Sequence, residues 1–134
     1  MVVASPTYLK TKGQPRSPDE LHQHDLIVTS AGEFQLSWRF NDGHDTQVRV
    51  KPRLKTSTND AAIEAAVLGL GIARLLSYQV ASDITEGNLV PILDGFEPKP
   101  IPVNVVHREG RHGAVRIRAF IDTLVASLRD TADL

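Results

Sequence analysis

The stretch Thr56-Ser57-Thr58-Asn59-Asp60-Ala61-Ala62-Ile63-Glu64-Ala65-Ala66-Val67-Leu68-Gly69-Leu70-Gly71-Ile72-Ala73 decides the fold. Up to Leu54 apolar residues alternate with charged ones at period two, as in a strand with one buried face. Past Asp60 the period changes. Ala62, Ala65, Ala66 and Gly69 recur at helical spacing with Ile63 and Val67 beside them, and alanine-rich composition favours helix. Gly69-Leu70-Gly71 ends that helix, and Ile72–Leu76 is long enough only for a short buried strand.

Towards the N-terminus, Ser5-Pro6-Thr7 opens a short helix that Gly13 stops, with Ser5 as cap and Pro6 at the first helical position. Ser17-Pro18-Asp19-Glu20 repeats the pattern with capping-box spacing between Ser17 and Glu20. Leu26–Thr29 reads as a strand. Phe34–Phe40 and Thr46–Leu54 alternate on either side of the turn Asn41-Asp42-Gly43-His44, which predicts a hairpin over 34–54. Towards the C-terminus, Ser77 caps a helix that runs to about Glu86 and stops at Gly87. Leu89–Leu93 is a strand kept towards an edge by Pro91. A connector with Pro98, Pro100 and Pro102 leads into a strand at Ile101–His107. Ala114–Arg129 is an amphipathic helix with Val115, Ile117, Phe120, Ile121, Leu124 and Val125 on or beside one stripe. Strands and helices alternate, so the fold class is α/β.

The 134 residues suit one domain or a large piece of one. Fifteen basic and sixteen acidic residues leave a net charge of −1, which argues against a dedicated nucleic-acid arm. The chain has no cysteine, so disulfides, zinc–thiolate sites and cysteine nucleophiles are excluded. No apolar run is long enough to span a bilayer and no secretory signal opens the chain. The expectation is a cytoplasmic globular chain without a membrane segment.

Four features could carry chemistry. Gly69-x-Gly71 follows a helix and precedes a strand, the reverse of a dinucleotide loop, and reads as a helix stop. Arg49, Lys51, Arg53 and Lys55 would share one strand face. No aromatic residue interleaves with them and Pro52 supports an edge position, so a solvated edge fits better than a nucleic-acid stripe. His22, His24, Asp25 and His44 lack metal-ligand spacing, and no serine sits in a nucleophile elbow. No metal, cofactor or catalytic set is expected. The most informative feature is Thr56-Ser57-Thr58-Asn59, hydroxyls and an amide at a helix entrance straight after a strand. Such a place favours an anion or carboxylate, and equally serves simple capping. Ser5-Pro6-Thr7 forms a second entrance.

One resemblance runs through the whole chain. Val3-Ala4-Ser5-Pro6-Thr7-Tyr8-Leu9, Gly13-x-Pro15, Pro18-Asp19-Glu20-Leu21 and Trp38-Arg39-Phe40 occur in order. Asn59-Asp60, Gly69-Leu70-Gly71-Ile72-Ala73, Leu75–Val80, Gly87-Asn88-Leu89-Val90 and Leu93 follow. Pro102-Val103, Arg111-His112 and Val115-Arg116-x-Arg118-Ala119-Phe120-Ile121-Asp122 complete the series. Together these resemble the LysR-type transcriptional regulators, with Leu76 standing where many relatives carry proline.

The resemblance implies an effector-binding domain built like a periplasmic binding protein, two α/β lobes joined by crossover strands around a small, often anionic, metabolite. Residues 1–5 would be the first crossover and about 6–98 the second lobe. Residues 100–107 would be the return crossover and 114–131 the closing helix, so that 100–134 belong with the first lobe. The DNA-binding domain and most of the first lobe would lie outside the chain, and DNA would be reached only through that domain. Ser57 falls where the family places an effector-contacting hydroxyl. Thr56, Thr58 and Asn59 flank it, and Ser5 and Thr7 would face the same cleft. A piece of this kind would form homo-oligomers to cover its apolar surface. The alternative is a stand-alone solute-binding or protein-interaction domain without a DNA role. A small hydrolase has no nucleophile motif behind it.

Overall fold

The computed structural model describes residues 1–30, 36–41, 43, 45–100, 106 and 115–131. Met1–Lys99 and Pro100–Leu134 form two compact units, and each is taken by itself. In the first, β1 (Val2–Ala4) and α1 (Pro6–Lys12) precede a 3₁₀ turn at Pro18–Gln23. β2 (Leu26–Thr29), β3 (Ser37–Asn41), β4 (Asp45–Arg49), β5 (Pro52–Thr56), α2 (Asn59–Val67), β6 (Ile72–Arg74), α3 (Ser77–Thr85) and β7 (Val90–Ile92) follow. The second contains α4 (Val115–Thr131). The expected strand at Ile101–His107 lies outside the described residues, apart from Val106.

Five strands form one mixed sheet in the order β5-β2-β6-β1-β7. β5, β2 and β6 run parallel; β1 is antiparallel to β6, and β7 to β1. The carboxyl ends of β5, β2, β6 and β7 therefore share one edge of the sheet with the amino end of β1. Ala4 and Ser5 lie at the opposite edge. Side chains alternate between two apolar layers, as strand geometry requires. Val3, Ile27 and Ala73 pack with Ala62, Ala65 and Ala66 of α2 on one face. Val2, Val28 and Ile72 pack with Tyr8, Leu21, Trp38 and Phe40 on the other.

The expected hairpin is present as β3 and β4, but it is shorter than the alternation suggested. The run Thr46–Leu54 divides: β4 ends at Arg49, and Pro52 opens β5, which joins the main sheet beside β2. Proline has no N–H for the ladder and is tolerated at a strand's first residue or at an edge. The register shifts between Leu26↔Pro52 and Ile27↔Leu54, leaving Arg53 as the extra residue of a bulge. The four basic residues are all exposed, but Arg49 ends β4, Lys51 lies between the strands, and Arg53 and Lys55 lie on β5 of the other sheet. Phe34 and Gln35, and Asp42 and His44 of the turn, lie outside the described residues.

Two cap assignments shift. Ser5 caps α1 as expected, its Oγ accepting from Tyr8 N at 3.3 Å. Ser17 makes no side-chain cap; Glu20 instead accepts from Arg16 N at 2.7 Å, because the turn is 3₁₀ and its carboxylate reaches one residue further back. Ser77 is the first residue inside α3, and the Leu76 N–H ahead of it donates to Gln79 Oε1 at 3.1 Å. Thr58 caps α2.

Candidate functional site

Adjacent parallel strands send the chain to opposite faces of the sheet. After β2 it passes to the β3–β4 hairpin, whose Trp38, Phe40 and Val48 pack on one layer. After β5 it enters α2, whose alanines pack on the other. In open α/β sheets, ligands bind outside the carboxyl ends of the strands where the chain diverges in this way. Thr29 pairs with Thr56 across that end, and Ser30 N donates to Thr56 O at 2.8 Å.

The hydroxyls of this corner have distinct duties. Thr56 Oγ1 donates to Thr58 O at 3.0 Å, with Val28 O at 3.5 Å, fixing the turn from strand to helix. Thr58 Oγ1 accepts from Ala61 N at 3.2 Å and caps α2. Asn59 is the first helical residue and is partly exposed. Ser57 is exposed, and its hydroxyl has no partner among the described residues. Capping and availability to a ligand thus fall on neighbouring side chains.

Ser5 and Thr7 are not part of this corner. Ser5 lies beyond the carboxyl end of β1, at the opposite edge of the sheet. It is 2% exposed with its Oγ already committed to Tyr8 N, and a Cβ on Gly69, which precedes β6, would lie 3.5 Å from it. Thr7 is exposed one turn into α1. The six residues therefore divide into Thr56–Asn59 at one edge and Ser5 with Thr7 at the other.

That far edge holds a polar cluster of its own. Tyr8 Oη accepts from Asp25 N at 2.9 Å and lies 3.2 Å from His24 Nδ1. Asp25 Oδ2 meets Arg53 Nη1 at 2.9 Å and Lys12 Nζ at 3.7 Å. Burial pushes the His24 imidazole below its usual pKa, with Glu20 and Asp25 opposing and Lys12 assisting. Burial also raises the Tyr8 phenol, and the hydrogen bond from Asp25 N works against that. Among the described residues no group of three or more His, Cys, Asp or Glu could hold a metal ion; His44 lies outside them.

Sequence reasoning passed over Arg74, the last residue of β6. Its guanidinium carbon sits 5.1 Å from the centroid of the Phe40 ring, and burial lowers its pKa, with Glu97 opposing. A charged residue inside the apolar run Ile72–Leu76 was the available signal. An open depression of about 480 Å³ lies elsewhere, lined by Gln14, Pro15, Arg16, Leu93 and Phe96. None of the hydroxyl residues lines it.

Comparison with known proteins places this architecture. The family model for the LysR substrate binding domain matches residues 1–129. The chain belongs to that family. Its LysR domain is 33% identical over 129 residues to the HTH-type transcriptional regulator CrgA of Neisseria meningitidis serogroup C, covering 95% of this chain and 43% of that protein. It is 32% identical over 127 residues to the HTH-type transcriptional regulator PgrR of Escherichia coli, covering 92% and 42%. The chain thus spans less than half the length of these curated relatives. The solved regulatory domain of CrgA superposes with a TM-score of 0.77 at 30% identity, covering 95% of this chain and 63% of that one. The full-length virulence activator AphB of Vibrio cholerae gives 0.64 at 28%, covering 72% and 33%. The LysR domain is an effector-binding domain of the LysR regulator type, with the periplasmic-binding-protein-like fold of these regulatory domains, and its relatives are transcriptional regulators rather than enzymes. Among the described residues, no helix is long and apolar enough to cross a membrane.

Proposed function

We propose that this LysR domain senses a small metabolite at the carboxyl ends of β5, β2 and β6, with Ser57 as the side chain that reports its presence. The observation that carries the reading is the Ser57 hydroxyl, exposed and unpartnered among the described residues, at the point where β2 and β5 send the chain to opposite faces. Thr56 and Thr58 shape the turn that presents it, and Asn59 stands beside it at the start of α2. Residues 6–98 act as the second lobe, and 100–134 supply the return crossover and closing helix of the first. In a longer, cytoplasmic regulator, closure of the lobes on the metabolite shifts the population of conformers. The DNA-binding domain of that regulator reads the shift, and the effector domains associate as homo-oligomers.

The test is a thermal-shift screen of small organic acids against the 134-residue chain, repeated with Ser57→Ala. A ligand that binds only the folded chain raises its melting temperature by mass action. Removing one hydrogen bond weakens binding by about 0.5–1.5 kcal/mol, roughly 2- to 13-fold, while the unliganded melting point stays put because Thr58 holds the cap. A ligand whose affinity Ser57→Ala leaves unchanged removes Ser57 from the site.

A further inference from the structure

We propose that Arg74 is the anion receptor of this domain, its guanidinium taking the carboxylate or phosphate group of the ligand at the carboxyl end of β6. The inference rests on the strand-end reading above and adds the residue that takes the ligand's anionic group. Arg74 is partly buried and ends β6, which neighbours β2 in the sheet. Its guanidinium lies over the ring of Phe40, 5.1 Å from the centroid, and Phe40 is fully buried, so the platform is fixed. No hydrogen bond and no carboxylate within 4 Å engages the guanidinium among the described residues. The nearby acid is engaged by the backbone: Glu97 Oε1 accepts from Val2 N at 3.0 Å.

Among the described residues no sealed side-chain nitrogen or oxygen lacks a partner, so the unused nitrogens of Arg74 face water and can be reached. A guanidinium held on an aromatic face with its donors turned outward suits bidentate recognition of an oxyanion. The partial burial that makes the bare cation costly adds to what a counter-charge returns. β5 lies two strand spacings from β6, about 10 Å, so an elongated ligand reaches both Arg74 and Ser57.

The experiment follows the arginine Nε–Hε signals and backbone amides of the ¹⁵N-labelled 134-residue chain by NMR. Sodium acetate and inorganic phosphate are titrated separately at constant ionic strength set with sodium chloride. The Arg74 signal is expected to shift along a saturating curve while the exposed Arg49 and Arg118 stay flat. Saturation by acetate alone assigns a carboxylate ligand, and by phosphate alone a phosphate ester. Arg74→Lys is expected to weaken the response roughly tenfold and Arg74→Gln to abolish it. An Arg74 signal that only drifts together with the other arginines overturns the proposal and leaves Arg74 as a cover for Phe40. Saturation at Arg74 without movement of the Ser57 amide keeps the anion receptor and detaches it from Ser57. Movement at Ser57 with Arg74 static keeps the strand-end site and removes the receptor.

Discussion

Gly71→Ala should be among the most damaging single-methyl additions available to this domain, and for a reason that backbone freedom does not supply. Gly71 has an ordinary negative-side φ; it is Gly69, two residues earlier, that needs the left-handed region, at φ 78°. A Cβ on Gly71 would collide with the carbonyl oxygen of Asp25 and approach its carbonyl carbon to 3.0 Å, with Ile27 Cγ1 at 3.3 Å. That same carbonyl accepts the hydrogen bond from Ile72 N at 2.8 Å, where β6 joins β2. Backbone cannot swing aside as a side chain can, so the two strands must part at their first contact. Overpacking costs about 1–3 kcal/mol, and weakening that hydrogen bond adds about 1 kcal/mol, for a total of about 2–4 kcal/mol. The unfolding entropy of a unit the size of Met1–Lys99 is about 0.2 kcal/mol/K, so the melting temperature should fall by about 10–20 °C. Gly69→Ala meets only ordinary contact, Ser5 Oγ at 3.5 Å, and carries a left-handed penalty of about 1–2 kcal/mol. Thermal melts followed by far-ultraviolet circular dichroism compare the two. If Gly71→Ala melts at or above Gly69→Ala, close strand approach is not what this glycine provides.

Thr58→Ala should cost about 1 kcal/mol through loss of the α2 cap, while Ser57→Ala stays within about 0.5 kcal/mol of the parent; paired melts decide between the two assignments. Because the folded pKa of His24 lies below the unfolded value, the unfolded chain takes up its proton first as pH falls. The stability this histidine contributes is complete above its unfolded pKa of about 6.5 and is lost as pH drops towards the folded pKa. Melting temperatures of the parent and His24→Gln, measured from pH 7.5 to 5, should therefore converge on acidification, and parallel curves would refute this. Arg53→Ala, which removes an ion pair whose arginine is 67% exposed, should cost no more than about 1 kcal/mol in the same melts. Static light scattering should show association that grows with concentration, and a single monomeric mass over a wide range would count against homo-oligomer formation.

The α/β class was legible because the period changes from two to helical across Leu54–Ala62, and each side of that change has its own apolar partners in the structure. β2, β3, α1, α2, α3 and β7 sit where their apolar runs and glycine stops put them. The hairpin's far limit was not legible. Alternation continues through Thr46–Leu54 as though one strand ran on, yet the hairpin ladder closes with Val50 N donating to Leu36 O at 2.9 Å and Pro52 starts a strand of another sheet. Side-chain period reports which residues are buried and says nothing of which backbone they are buried against. Gly71 illustrates the same limit. Its reading as part of a helix stop was sound for Gly69, but the contact that demands glycine at 71 comes from Asp25, 46 positions away in the sequence.

The candidate site shows a second limit, that of direction. Ser5-Pro6-Thr7 and Thr56-Ser57-Thr58-Asn59 have the same local chemistry, hydroxyls at a helix entrance after a strand, and nothing local distinguishes them. What separates them is that β1 runs antiparallel to β6 while β5 and β2 run parallel to it. One entrance therefore opens at the amino ends of the parallel strands, where Ser5 is buried and its hydroxyl consumed by capping. The other opens at their carboxyl ends, where the chain diverges to the two faces of the sheet. Among four adjacent polar residues pairing geometry leaves Ser57 and Asn59, because Thr56 and Thr58 spend their hydroxyls on the turn and the cap. Arg74 makes the complementary case. Its charge within a buried run was visible in the sequence, but the meaning of that charge depends on Phe40 beneath it and on Glu97 being engaged elsewhere. Both are facts of tertiary packing. A charged residue in a buried strand is thus a place to look for a ligand, and the structure decides whether its counter-charge is already inside the protein.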